Sequence, residues 1–101
     1  MSGSGGHDNT AIGTNALSNT TGGGNIAVGS NAGFFLTTGG NNIYIGNSGL
    51  TSESRTIRIG QEGLHEATFI AGISGVAVAG TQVVIDASGQ LGVAPSSTRF
   101  K

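Results

Sequence analysis

Asn25-Ile26-Ala27-Val28-Gly29-Ser30-Asn31-Ala32 recurs along the chain, and the recurrence decides the fold. The pattern is already present at Asn9-Thr10-Ala11-Ile12-Gly13-Thr14-Asn15-Ala16. Its first half returns at Asn42-Ile43-Tyr44-Ile45-Gly46 and again at Thr56-Ile57-Arg58-Ile59-Gly60. The closing glycines lie 16, 17 and 14 residues apart. A second echo, Thr20-Thr21-Gly22-Gly23 with Thr37-Thr38-Gly39-Gly40, holds the same register. A short fixed period of this kind marks a solenoid. At ~3.3 Å per residue, each period has room for two short strands and two turns. A three-sided hexapeptide helix would need about eighteen residues per coil and a six-residue subperiod. That subperiod is absent. The sequence therefore predicts an all-β chain built on a parallel β-roll, a flattened β-solenoid of about four coils.

Within each strand, side chains alternate between two faces. Thr10/Ile12, Ile26/Val28, Ile43/Ile45 and Ile57/Ile59 form one set, expected to line the interior. Ala11, Ala27, Tyr44 and Arg58 form the other, expected to face outward. The interior is expected to be completed by Ala16/Leu17, Ala32/Leu36, Leu50 and Leu64. The Asn before each of the first three strands suits a turn, because Asn tolerates left-handed backbone, and stacked Asn side chains can form ladders. Such a core is thin for one chain. Small outward Ala residues permit close approach of another chain, so association about a rotation axis is expected.

Composition narrows the function classes. The chain has 101 residues, 20 of them Gly, only 9% charged residues and a net charge of −1. Nucleic-acid binding calls for clustered Lys and Arg, and only four are present. With no Cys, neither a disulfide framework nor a Cys-ligated zinc site can form. No apolar run approaches the ~18 residues of a membrane span. The charge is also uneven, since residues 9–52 contain none. Acid–base catalysis needs carboxylates, His or Lys in a pocket. The acids Asp8, Glu53, Glu62, Glu66 and Asp86 are scattered and read as solvated surface charges.

Other motifs fail on context. His7 and His65 are the only histidines, and neither has the neighbouring ligands of a metal site. Gly22-x-Gly24-x-x-Ala27 has the spacing of a dinucleotide fingerprint but lacks its helix and its acid. The Gly-rich loops lack the Asp of calcium-binding repeats. Two Thr-Thr pairs make too small an array for ice binding. No metal, cofactor or catalytic residue is assigned. Phe34 and Phe35, with Tyr44 and Arg58, are the candidates for contact with another molecule.

The expected organisation has four parts. Residues 1–8, opening on Met-Ser-Gly-Ser-Gly-Gly, read as a leader or cloning scar. Residues 9–63 are the roll. Residues 64–95 read as a short β-meander, with strands at 67–73, 76–79, 82–86 and 91–93 separated by Gly-containing turns. Residues 96–101 read as the truncated start of a further domain.

The repeat N-x-A-[IV]-G-[TS]-N-A at residues 9–16 and 25–32 resembles the head repeats of trimeric autotransporter adhesins of the YadA type. The resemblance extends over residues 9 to 63. Tyr44 and Arg58 stand where those repeats have Ala, and Thr56 where they have Asn. It implies a left-handed roll and a homotrimer. The stretch from Thr68-Phe69-Ile70-Ala71-Gly72-Ile73 to Ser96-Ser97-Thr98-Arg99-Phe100-Lys101 resembles the entry to an endosialidase-type intramolecular chaperone, a domain of tail spikes and surface fibres. Ser96, Arg99 and Lys101 match its Ser-Asp-x-Arg-Leu-Lys-like motif, while Ser97 stands in place of the Asp. Since the rest of that domain is missing, the chain is expected to be a fragment.

The function implied is structural: a stiff segment of a homotrimeric extracellular fibre, from a bacterial surface adhesin or a phage tail fibre. One alternative is an adhesin module that binds a host or receptor surface. Another is an enzyme resembling solenoid acyltransferases, against which the missing subperiod and the lack of polar clusters argue.

Overall fold

A computed structural model describes residues 6–95. The chain divides into two units after Thr68.

The first unit is a β-solenoid. Its strands are β1 (Thr10–Ile12), β2 (Ile26–Val28), β3 (Ile43–Ile45) and β4 (Ile57–Ile59). They form one parallel sheet in chain order. The register carries the repeat from coil to coil: Ala11 pairs with Ala27, Ala27 with Tyr44, and Tyr44 with Arg58. No described residue is helical. The return legs are also bonded between coils, as where Leu17 N–H donates to Ala32 O at 3.0 Å and Phe35 N–H to Ser48 O at 2.9 Å.

The interior is the reverse of the face expected from the sequence. Ala11, Ala27 and Tyr44 are buried, together with Ala16, Leu17, Ala32 and Leu36 from the return legs. Ile12, Ile26, Val28, Ile45, Ile57 and Ile59 are exposed. Leu50 and Leu64, expected inside, are exposed as well. The cause is steric. Ala11, Ala16, Ala27 and Ala32 share one buried cluster with Leu17 and Leu36, and small residues beside the leucines suit the limited volume of a thin coil. Tyr44 fits in the third coil because glycines border its ring. A Cβ at Gly49 would stand 2.9 Å from its Cζ, and one at Gly33 would stand 3.1 Å from its Cδ2.

Asparagine holds the coils in register. Asn9 Oδ1 accepts the Asn25 N–H at 2.8 Å, Asn25 Oδ1 accepts the Asn42 N–H at 3.0 Å, and Asn42 Oδ1 accepts the Thr56 N–H at 3.0 Å. Each side-chain amide also donates to a carbonyl of the following coil: Gly22 O, Gly39 O and Glu53 O respectively. These asparagines are not the left-handed ones. Outside glycine, positive φ falls instead at Asn15, Asn31 and Asn41, and at Asp8, Leu17 and Arg55. The ladder was an expectation of the sequence; its separation from the left-handed corners was not.

Residues 6–8, expected outside the fold, take part in it. His7 O accepts the Gly24 N–H at 3.1 Å, and Asp8 turns with φ 61° just before Asn9, as Asn41 does with φ 60° before Asn42.

The second unit carries one antiparallel hairpin, β5 (Val83–Ile85) with β6 (Leu91–Val93), paired Val83 to Val93 and Ile85 to Leu91. The strands expected at 67–73 and 76–79 do not form. The Ser74-Gly75 turn does, closed by Val76 N–H donating to Ile73 O at 3.2 Å. Its flanks find no partner strand within this unit, and an extended segment without a ladder leaves its backbone to water. Every described residue from Glu62 to Pro95 is exposed, and Phe69 is 93% exposed. The chaperone-like residues Ser96, Arg99 and Lys101 lie outside the described residues.

Candidate functional site

The outer face of the four-stranded sheet is an apolar ridge. Parallel register stacks Ile12, Val28, Ile45 and Ile59 in one column and Thr10, Ile26, Ile43 and Ile57 in the next. Ile12 is 60% exposed and Ile59 72%. β-branched side chains at these positions suit the extended backbone, and the alternation that puts Ala inside forces them outward. Single chains rarely display a contiguous apolar surface of this kind, which makes the ridge the candidate contact surface.

A polar cluster closes the roll at β4. Tyr44 Oη donates to Glu53 Oε2 at 2.6 Å. Arg58 grips the same carboxylate, with Nε 3.0 and 2.9 Å from its two oxygens and Nη2 2.8 Å from Oε1. The Leu50 N–H adds a fourth donor at 3.3 Å. Burial pushes the Tyr44 phenol above the ordinary tyrosine range, and the Glu53 carboxylate beside it adds to the rise. For Glu53 itself burial acts upward, but the Arg58 guanidinium and the Tyr44 hydroxyl outweigh it and hold the carboxyl below its ordinary value. The hydrogen bond to Glu53 raises Arg58 further against a smaller effect of burial.

This cluster corrects two expectations. Tyr44 offers no surface to a receptor, being fully buried with its hydroxyl committed to Glu53. Glu53 is not a solvated surface charge, for its side chain is only 12% exposed. Arg58 stands in the inward column, held by Glu53 and partly open to solvent. The sequence did hold a signal for this cluster. The fourth coil replaces Ala by Arg where the third-coil loop replaces Gly by Glu.

Phe34 and Phe35 meet edge to face, with ring centroids 5.5 Å apart. Phe34 is half-buried and Phe35 exposed, so the pair remains open to contact. The two histidines stand apart from any ligand group. His65 Nδ1 accepts the Gln61 N–H at 2.8 Å, while His7 joins the roll through its carbonyl. Among the described residues, no group of three or more His, Cys, Asp or Glu could hold a metal ion, and no helix is long and apolar enough to cross a membrane. The β5–β6 hairpin has a shallow open hollow lined by Val84, Ile85, Asp86 and Gln90–Val93. Asp86 there is held below its ordinary pKa, by the Ser88 hydroxyl first and then the Gln90 N–H, and serves the turn itself.

No family model, curated protein or solved structure matches the chain.

Proposed function

We propose that the chain is a structural segment of a homotrimeric extracellular fibre, a left-handed roll in which the Ile/Val ridge packs against the ridges of two further copies. The observation that carries this reading is the ridge itself: six large aliphatic side chains of the strands face outward while Ala11, Ala27 and Tyr44 face inward. A single coil buries too little apolar surface to be rigid alone, and burial between copies supplies the rest. The Asn ladder and the parallel backbone bonds then make the unit stiff along the coil axis. The resemblance of residues 9–63 to adhesin head repeats supports the same assembly, with a bacterial surface protein or phage tail fibre as parent. The role is mechanical rather than enzymatic: it presents or anchors another domain, as a rigid stalk or head.

Paired substitutions test the reading. Val28→Asp with Ile45→Asp should reduce the chain to its 9.9 kDa protomer in light scattering after gel filtration. Phe34→Ala with Phe35→Ala should leave the assembly intact. Assembly that survives the ridge pair would overturn the proposal.

The exposed Phe34–Phe35 pair favours a second reading, in which the same fibre also adheres to a host or receptor surface. Loss of cell or matrix binding in the Phe34/Phe35 double variant, with assembly unchanged, is the result it requires.

A further inference from the structure

The hairpin of the second unit has two unlike faces. Its register pairs Val83 with Val93 and Ile85 with Leu91, and cross-strand partners share a face. Alternation puts Val84 and Gly92 on the other side. The first face is aliphatic throughout, and each of its four side chains is between 60% and 67% exposed. The polar groups nearby serve the turn: Asp86 Oδ1 accepts the Ser88 and Gln90 N–H groups at 2.9 and 3.0 Å. Residues 67–85 carry no charge at all.

A two-stranded hairpin is marginally stable in water unless its hydrophobic face is covered. Area restricts what can cover this one. Four aliphatic side chains at this exposure present on the order of 400 Å². One partner in a stable complex contributes about 800 Å². The face is therefore too small to capture a free protein against the entropy of association. It suits a partner that another contact already holds nearby, because tethering raises the effective concentration to the millimolar range. A face without charge also meets no like-charge repulsion from its own copy.

We propose that the aliphatic face of the β5–β6 hairpin docks on the same face of a second copy of this chain. The inference rests on the self-association proposed above. Copies joined at the ridge each carry the hairpin on residues 60–82, which lead from β4 to β5, so the hairpins meet as tethered groups. The ridge gathers the copies. The hairpin contact then supplies the second unit with the burial that its own described residues lack.

Disulfide trapping tests the contact in the full chain, which has no Cys. Ile85→Cys and Val84→Cys place one thiol on either face of the hairpin, and both positions are exposed, so neither variant loses a buried side chain. Sedimentation equilibrium gives the mass of each reduced variant, and oxidation by diamide is followed on non-reducing gels. Ile85→Cys should form covalent dimer about tenfold faster, or more, than Val84→Cys. Adding Val28→Asp with Ile45→Asp should release protomers and abolish that advantage. Equal rates in an assembled protein would overturn the docking and leave the ridge reading in place. An advantage that persists in protomers would overturn the dependence on a tether. A chain that sediments as the protomer before any ridge substitution would overturn the ridge reading and this inference with it.

Discussion

The side-chain carbonyl of Asn25 accepts the backbone N–H of Asn42, one coil further on, at 3.0 Å. Asn42 Nδ2 reaches the same oxygen at 3.1 Å, and Asn25 Nδ2 donates to Gly39 O at 3.2 Å. Both asparagines are fully buried, so these bonds are made away from water. Among the described residues, no buried side-chain nitrogen or oxygen lacks a partner.

Asn25→Ala should therefore be among the costly polar substitutions in the roll. It leaves the Asn42 N–H and the Gly39 carbonyl unpaired in the interior, at about 1–3 kcal/mol for each buried group. Asn19→Ala removes one exposed side-chain hydrogen bond, to Phe34 O at 2.9 Å, at a position without positive φ, and should cost about 1 kcal/mol or less. Urea denaturation of both variants at equal protomer concentration gives the comparison. Equal losses would show that the ladder does not hold the coils.

Gly39→Ala tests the close approach of coils. Gly39 is not among the residues of positive φ, so the effect is one of space alone, where a Cβ would overlap Glu53 O. Overpacking against backbone should cost about 3 kcal/mol or more. At Gly46 an added Cβ meets nothing within 4 Å, although φ is 65°. Gly46→Ala should thus cost only backbone strain, about 1 kcal/mol. The two denaturation midpoints should differ in that order.

Tyr44 is the only tyrosine and there is no Trp, so its ionisation can be read directly from phenolate absorbance. Burial and the neighbouring Glu53 carboxylate raise its pKa in the folded protein. A raised pKa means that the phenol's contribution is complete below the unfolded tyrosine value and is lost as pH rises through the folded one. The titration should stay silent through the ordinary tyrosine range and rise only beyond it or on unfolding. Glu53→Gln should bring ionisation to lower pH. A normal titration in the folded wild type would contradict the buried hydrogen bond.

Glu53 has the opposite sign. Its folded pKa lies below the ordinary glutamate value, despite burial, because Arg58 and Tyr44 stabilise the carboxylate. Its contribution is complete above the unfolded value and is lost as pH falls through the depressed folded value. Stability of the wild type should decline across that acidic window more steeply than that of Glu53→Gln. Asp86 is unchanged between the two proteins, so the difference isolates Glu53. Parallel declines would show that the cluster at β4 is not coupled to folding.

The four strands of the roll were legible because Gly, Asn and β-branched residues recur at one spacing and each has a local conformational reason. Which face lies inside was not legible from the alternation. Period two yields two sets, and the larger aliphatics were assigned to the interior on hydrophobicity. In a coil this thin the deciding quantity is volume, so Ala11 and Ala27 go in and Ile12 and Val28 go out. Tyr44 broke the small-residue column, and only the glycines at 33 and 49, which come near it in space, explain its burial. Segments 67–73 and 76–79 have strand composition, but composition does not supply a partner within their unit. Those segments and the ridge have in common that their apolar side chains stay exposed, as Phe69 and Val78 do in the one and Ile12 and Ile59 in the other.

Solution mass is the most direct test of that account. Sedimentation equilibrium of the intact chain should give a single species of about 30 kDa, three times the 9.9 kDa protomer, that persists on dilution. A folded, dilution-independent 9.9 kDa species would contradict it, since the Ile12–Ile59 ridge would then be standing in water.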